Sequence, residues 1–171
     1  MIRKAVIISI SGTVLKKSEI NIFKKEKPWG VILFKRNILS EKQIKKLTNT
    51  IRKIMRDKKY PILVDEEGGK VSRISNFLNN IDFNQKYFGD IYKIDKKIAL
   101  ITYKTYVDSI SRHLRNLGIN INTVPVLDLY VKKAHKIIGN RSFAASPFVV
   151  SELGRFCIKF YKNNKIATVI K

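Results

Sequence analysis

Five short runs rich in β-branched residues, at positions 5–10, 31–34, 62–64, 121–127 and 166–170, alternate with stretches of mostly helical periodicity. Strand, helix, strand with short connections leaves few folds open: parallel strands joined by right-handed crossovers. The runs are almost wholly apolar, so both faces of the sheet are expected to be covered. Ser40 with Gln43 three residues later forms a capping box. Ile44, Leu47, Ile51, Ile54 and Met55 then recur at three- and four-residue spacing and make one apolar stripe. Ala99, Leu100, Tyr103, Val107, Ile110, Leu114 and Leu117 make a second stripe, closed by Gly118 as a left-handed terminator. Ser146-Pro147 opens a third helix, with Val149, Val150, Leu153, Phe156, Cys157 and Phe160 along its apolar side. Residues 77–92 show no clear period and read as a long loop holding an aromatic plug of Phe83, Tyr87, Phe88 and Tyr92. Pro125, inside the fourth run, cannot donate to a ladder and points to a bulge near that strand's end.

The strand ends carry the chemistry. Ile62-Leu-Val is a buried strand that stops at Asp65-Glu66-Glu67 and is followed by Gly68-Gly69, which frees the backbone. Three consecutive carboxylates repel one another and persist where a cation, a metal or a polyol binds. Arg73 is close enough to fold back as a counter-ion, either as part of a site or as a structural Asp65–Arg73 pair that closes the loop. The fourth run ends in Asp128, a site residue or a cap, and the fifth in Lys171. Arg141 follows a glycine-containing turn, where a guanidinium can fork onto paired oxygens. Carboxylates and guanidinium groups around a concave mouth suit sugar hydroxyls, which both donate and accept. No Gly-x-Gly-x-x-Gly, phosphate-binding loop, nucleophile elbow or metal-ligand spacing is present. His113 reads as a boundary residue late in a helix, His135 as a loop residue among lysines, Cys157 as a core thiol and Trp29 as packing.

Composition bounds the rest. The 171 residues suit one domain, 1–171, and 44% hydrophobic content supplies a core. One cysteine excludes a disulfide framework and fits a reducing compartment. The net charge of +22 raises the question of a polyanion partner. The excess is dispersed lysine in a chain also rich in isoleucine and asparagine, the signature of AT-rich codons. Nucleic acid is therefore not the expected partner. The amino terminus has the outline of a signal peptide, but Ser9, Ser11, Gly12 and Thr13 dilute its apolar run and no small-x-small site follows, so it reads as a first core strand. No run approaches the ~20 apolar residues of a membrane span.

Five segments resemble, in order and spacing, the bacterial β-N-acetylhexosaminidases of glycoside hydrolase family 3. They are Trp29-Gly-Val-Ile-Leu-Phe-Lys-Arg-Asn37, Val64-Asp-Glu-Glu-Gly-Gly-Lys-Val-Ser-Arg73, Pro125-Val-Leu-Asp-Leu129, Ile138-Gly-Asn-Arg-Ser-Phe143 and Lys165-Ile-Ala-Thr-Val-Ile-Lys171. The resemblance implies an α/β fold, a TIM-type (β/α)8 barrel whose site lies at the carboxyl ends of its strands. This chain would form an incomplete barrel of about five parallel βα units. It further implies a retaining glycosidase that releases terminal N-acetylglucosamine from muropeptides in cytoplasmic cell-wall recycling, without a cofactor. By matching motif, Asp65, Arg73, Arg141 and Lys171 are substrate-binding positions, while Glu67 and Asp128 shape the same mouth. In the family the matching lysine opens a Lys-His-Phe-Pro-Gly-His-Gly motif, and the acid/base histidine and the nucleophilic aspartate follow it. None of these is among the 171 residues. Asn140 stands where an acidic residue is common, and Tyr130 where a charged or small one is frequent. The chain is thus expected to be shortened, marginally folded, inactive alone and open at its edge strands. A separate carboxyl-terminal polypeptide could complete the barrel. The alternatives are a sugar-binding remnant without catalysis and a charge-driven polyanion binder.

Overall fold

The computed structural model describes residues 2–132 and 137–171. Its centre is a five-stranded parallel sheet in sequential order, β1 (Lys4–Ser9), β2 (Pro28–Leu33), β3 (Ile62–Val64), β4 (Ile121–Asn122) and β5 (Ala167–Thr168). The helices are α1 (Lys17–Glu26), α2 (Glu41–Met55), α3 (Gln85–Ile94), α4 (Lys96–Asn116) and α5 (Pro147–Asn163). The incomplete-barrel expectation is met: β1 and β5 are edge strands of an open parallel sheet.

The core lies between the sheet and the helix layer. Val31 and Leu33 of β2, and Ile62 and Val64 of β3, are fully buried with Ile44 and Ile51 of α2, Ile110 and Leu114 of α4 and Leu153 of α5. Each such side chain withdrawn from water contributes about 1.5–3 kcal/mol before entropy is counted. The edges differ. Val6 and Ile7 on β1 remain 47% and 46% exposed, and Val169 and Ile170 beside β5 remain 40% and 54% exposed. Trp29, expected to pack, stays 40% exposed at the start of β2.

Caps fix the helix ends. Ser40 Oγ accepts the Gln43 amide N–H at 3.2 Å, as its position predicts, but Gln43 Oε1 accepts from Leu39 rather than from Ser40. Its Nε2 instead donates to the carbonyls of Thr13 and Asn37, tying α2 to the loop after β1. Gly118 ends α4 at φ +77°, in the left-handed conformation expected of it.

The loop expected over 77–92 is corrected by α3. Asn84 caps this helix by accepting the Tyr87 N–H at 3.0 Å. Its period is hidden because the buried positions are Gln85, Phe88 and Gly89, only one of them large and apolar. The aromatic plug is real, but it is an interhelical seam: Phe88 lies 4.5 Å from the Tyr103 ring and 5.2 Å from that of Tyr106 on α4, and Phe83 stacks on Tyr106 at 5.7 Å. Tyr92 leaves the seam to carry the Lys96 ammonium over its ring. The fourth strand is also shorter than the run 121–127. Beyond Asn122 the ladder continues irregularly, with Lys171 donating to the Pro125 carbonyl and Leu127 donating to the Lys171 carbonyl. Pro125 thus sits in a distorted extension, as its missing donor requires.

Gly89 lets α3 lie directly against the backbone of the loop before α5. A Cβ there would lie 1.8 Å from the Phe143 carbonyl oxygen. Helix propensity alone favours Gly89→Ala by about 1 kcal/mol, but overpacking against fixed backbone costs about 1–3 kcal/mol or more. Gly89→Ala is expected to lower the urea midpoint at unchanged slope; a raised midpoint would show that α3 does not pack this tightly.

Candidate functional site

The carboxylate run at the end of β3 divides its labour by direction. Along an extended strand alternate side chains take opposite faces. Asp65 and Glu67 reach the mouth at the carboxyl ends of the strands, while Glu66 turns back into the protein. Gly68 and Gly69, at φ +81° and +59°, then fold the chain beneath residues 80–84. A Cβ on Gly68 would meet the Phe83 carbonyl at 2.1 Å, so the double glycine is a steric requirement.

Glu66 organises the loop. Its Oε2 accepts the Ser72 hydroxyl at 3.1 Å and the Arg73 and Ile74 amides at 2.7 and 3.1 Å, and its Oε1 accepts Asn80 Nδ2 at 2.7 Å. It is 1% exposed. Burial raises its pKa above the ordinary 4.5, and the hydrogen bonds only partly offset that. Asn122, at the tip of β4, clamps the same residue's backbone: its Oδ1 accepts the Glu66 N–H at 2.9 Å and its Nδ2 donates to the Glu66 carbonyl at 2.8 Å.

At the mouth, Lys171 Nζ bridges Asp65 Oδ1 at 2.8 Å and Glu67 Oε1 at 2.6 Å. Arg141 forks onto Glu67, its Nε at 2.7 Å from Oε2 and its Nη2 at 2.9 Å from Oε1. This hydrogen bonding lifts the Arg141 pKa above its ordinary value. Arg73 Nη2 stands 3.7 Å from Asp65 Oδ2, an ion pair beyond hydrogen-bond length. Thr123 Oγ1 also donates to Asp65. Burial works against ionisation of Asp65; the bonds from Lys171 and Thr123, with the charges of Lys171 and Arg73, outweigh it and hold the carboxyl below 3.8. The structure therefore brings Asp65, Glu67, Arg73, Arg141 and Lys171 into one cluster. Asp65 is shared between Arg73 and Lys171, so the ion pair that closes the loop also belongs to the cluster. Asp128 lies exposed at the rim; its carbonyl accepts Ser142 Oγ at 2.6 Å, and its charge adds to the field on Arg141.

Other candidates fall elsewhere. Cys157 is fully buried on α5, and burial pushes its thiol up to about 12, the behaviour of a core residue. His113 lies in the last turn of α4, at the end of the molecule that feeds the start of β4. His135 lies outside the described residues. Among the described residues no three His, Cys, Asp or Glu side chains converge for a metal, and no helix is long and apolar enough to cross a membrane. Sequence reasoning missed three supports: Asn122, Thr123 and Gln85. Gln85 Nε2 donates to the carbonyls of Val126 and Arg141, and its Oε1 accepts the Val126 N–H, so it joins the two loops that frame the mouth. Polar residues inside the apolar 121–127 run were the available signal for the first two.

Residues 5–171 match the model of the glycosyl hydrolase family 3 N-terminal domain. The chain belongs to glycosyl hydrolase family 3. A curated β-hexosaminidase of Xanthomonas campestris pv. campestris is 31% identical over 149 residues, 87% of this chain and 44% of that protein. One from Stenotrophomonas maltophilia is 31% identical over 145 residues, 85% and 42% of the two chains. The crystal structure of native NagZ from Neisseria gonorrhoeae superposes with a TM-score of 0.86 at 28% identity, covering 99% of this chain and 49% of that one. This family 3 chain thus spans about half the length of the relatives it matches. A family 3 β-N-acetylglucosaminidase from Paenibacillus, at 24% identity and a TM-score of 0.84, shares the fold.

The two carboxylates act oppositely with pH. Asp65, with a lowered folded value, stabilises above pH 3.8, and that contribution is lost as pH falls through the folded value. Glu66, with a raised one, favours the fold fully below pH 4.5, and that contribution is lost as pH rises through its folded value. Glu66→Gln keeps the three bonds at one oxygen, and Asn80, whose Oδ1 has no partner, can rotate its amide to receive the new N–H. The variant is expected to fold and to lose the decline in urea midpoint above pH 4.5. A variant profile parallel to the wild type would remove Glu66 as its source.

Proposed function

We propose that this chain is the sugar-gripping half of a β-N-acetylhexosaminidase-type barrel. The observation that carries the reading is the single cluster formed by the four motif positions Asp65, Arg73, Arg141 and Lys171, separated by up to 106 residues in sequence. Asp65 offers acceptor oxygens, and the three cations offer donors beyond those already used, the pairing that vicinal hydroxyls and an acetamido carbonyl require. The ligand class is an N-acetylated amino sugar. A second Neisseria gonorrhoeae NagZ structure, in complex with N-trifluoroacetyl-D-glucosamine, superposes with a TM-score of 0.86 at 28% identity and supports that choice.

In this reading Asp65, Arg73, Arg141 and Lys171 hold and orient the sugar, with Glu67 and Asp128 shaping the mouth. The acid/base histidine and the aspartate nucleophile of the retaining mechanism come from further βα units that follow the lysine motif. Those units, joined in one polypeptide or supplied by a separate one, would close the barrel against the exposed edges of β1 and β5. The 171 residues by themselves bind without hydrolysing. A muropeptide as natural ligand, and cell-wall recycling in the cytoplasm as its setting, follow from the same resemblance.

Calorimetric titration tests the binding. The chain is expected to give saturable heat with N-acetylglucosamine at millimolar concentration, and Arg141→Ala or Lys171→Ala is expected to weaken it about tenfold, the loss of one charge-assisted hydrogen bond. The same protein is expected to release no p-nitrophenol from p-nitrophenyl N-acetylglucosaminide. Absence of heat at millimolar sugar overturns the binding, and release of p-nitrophenol overturns the division of roles.

A further inference from the structure

We propose that Glu67 is a positioning residue that aims Arg141 and Lys171 at the sugar and never touches the sugar itself. The proposal rests on the amino-sugar reading of the site. Its ground is the burial of Glu67 together with the bonds it already accepts. Glu67 Oε1 accepts Lys171 Nζ at 2.6 Å and Arg141 Nη2 at 2.9 Å, and Oε2 accepts Arg141 Nε at 2.7 Å. Its side chain is 1% exposed, against 18% for Asp65. A carboxylate sealed from the mouth, with three of its about four acceptor sites already taken by charge-assisted bonds, has no open face to present to a ligand. Asp65 keeps that access.

What Glu67 does is remove freedom from its partners. A lysine on a four-carbon stem and an arginine in a loop would each sample many rotamers. The Nε–Nη2 edge of Arg141, seated on both oxygens of one carboxylate, fixes the guanidinium plane. Lys171 Nζ, held between Asp65 and Glu67, keeps one of its three N–H bonds unspent, in a direction set by the other two. Glu67 is itself anchored: its amide donates to the Val71 carbonyl at 2.9 Å, across the turn that Gly68 and Gly69 make possible. The two cations are thus oriented before any ligand arrives, which lowers the ordering cost of binding.

The test uses the whole chain and two independent readouts. The first, ligand-free, is the hydrogen exchange of the Arg141 Nε–H by NMR, assigned by its disappearance in Arg141→Lys. The second is N-acetylglucosamine affinity by titration. In the wild type the Nε–H is expected to exchange slowly. In Glu67→Gln it is expected to exchange like that of a free arginine while the backbone amide spectrum stays folded, and sugar affinity is expected to fall at least tenfold. Glu67→Asp, which keeps the charge but is one methylene short of the fork, is expected not to rescue the affinity. Fast exchange in the wild type overturns the proposal whatever the sugar does, and needs no variant that might misfold. Slow exchange and sugar affinity both unchanged in Glu67→Gln overturn it as well. Slow wild-type exchange that Glu67→Gln abolishes, with no sugar binding in the wild type, supports Glu67 as the aligner of the cations and removes the amino-sugar reading instead.

Discussion

All five strands run the same way, and every other feature of the site depends on that. Parallel pairing forces each connection to cross back over the sheet, so every strand delivers its carboxyl end to one side. Lys171 then meets Asp65 and Glu67, and Arg141 meets Glu67 across 74 residues of sequence. An antiparallel sheet would scatter these charges between two ends. The crossovers also place α2, α4 and α5 against the outer face, where they bury the strands that hold the mouth in register.

The three adjacent carboxylates show why position matters more than charge. Asp65 is partly open, paired with two cations and easily ionised. Glu66, one residue on, is enclosed and resists ionisation, yet it organises the Arg73 turn through a single oxygen. Glu67 is equally enclosed but meets two cations instead of neutral amides. Surface pairs elsewhere on the molecule, such as Lys45 with Glu41, are solvated and are worth little, on the order of 0–1 kcal/mol. The pairs that end on Glu67 meet a carboxylate withdrawn from water, and breaking one would strand a buried charge.

The same topology leaves the molecule unfinished at its sides. An eight-stranded barrel has no edges, whereas here β1 and β5 are the edges of an open sheet, and valine and isoleucine side chains on β1 and just past β5 stay in water. Relatives about twice as long share this half with a TM-score as high as 0.86. The mouth is nevertheless assembled from β3, β4 and the chain just past β5, with loops that Gln85 and Asn122 hold in place. The charged groups of the mouth are therefore ordered within this half of the fold.

Local pattern was enough to place the five strands, the α2, α4 and α5 helices, the Ser40 cap and the Gly118 stop, because apolar spacing and turn chemistry act over a few residues. The same reading missed α3, whose buried face holds a glutamine and a glycine that make sense only against the Val126, Arg141 and Phe143 backbone. The motif positions Asp65, Arg73, Arg141 and Lys171 were legible one by one. Their pairing was not, since hydrogen bonds over such separations depend on how the sheet closes. Nor could the sequence tell that Glu66 faces inward while Glu67 gathers two cations. Three neighbouring carboxylates look alike along a chain and differ only in the dielectric and the partners that the tertiary structure puts around each.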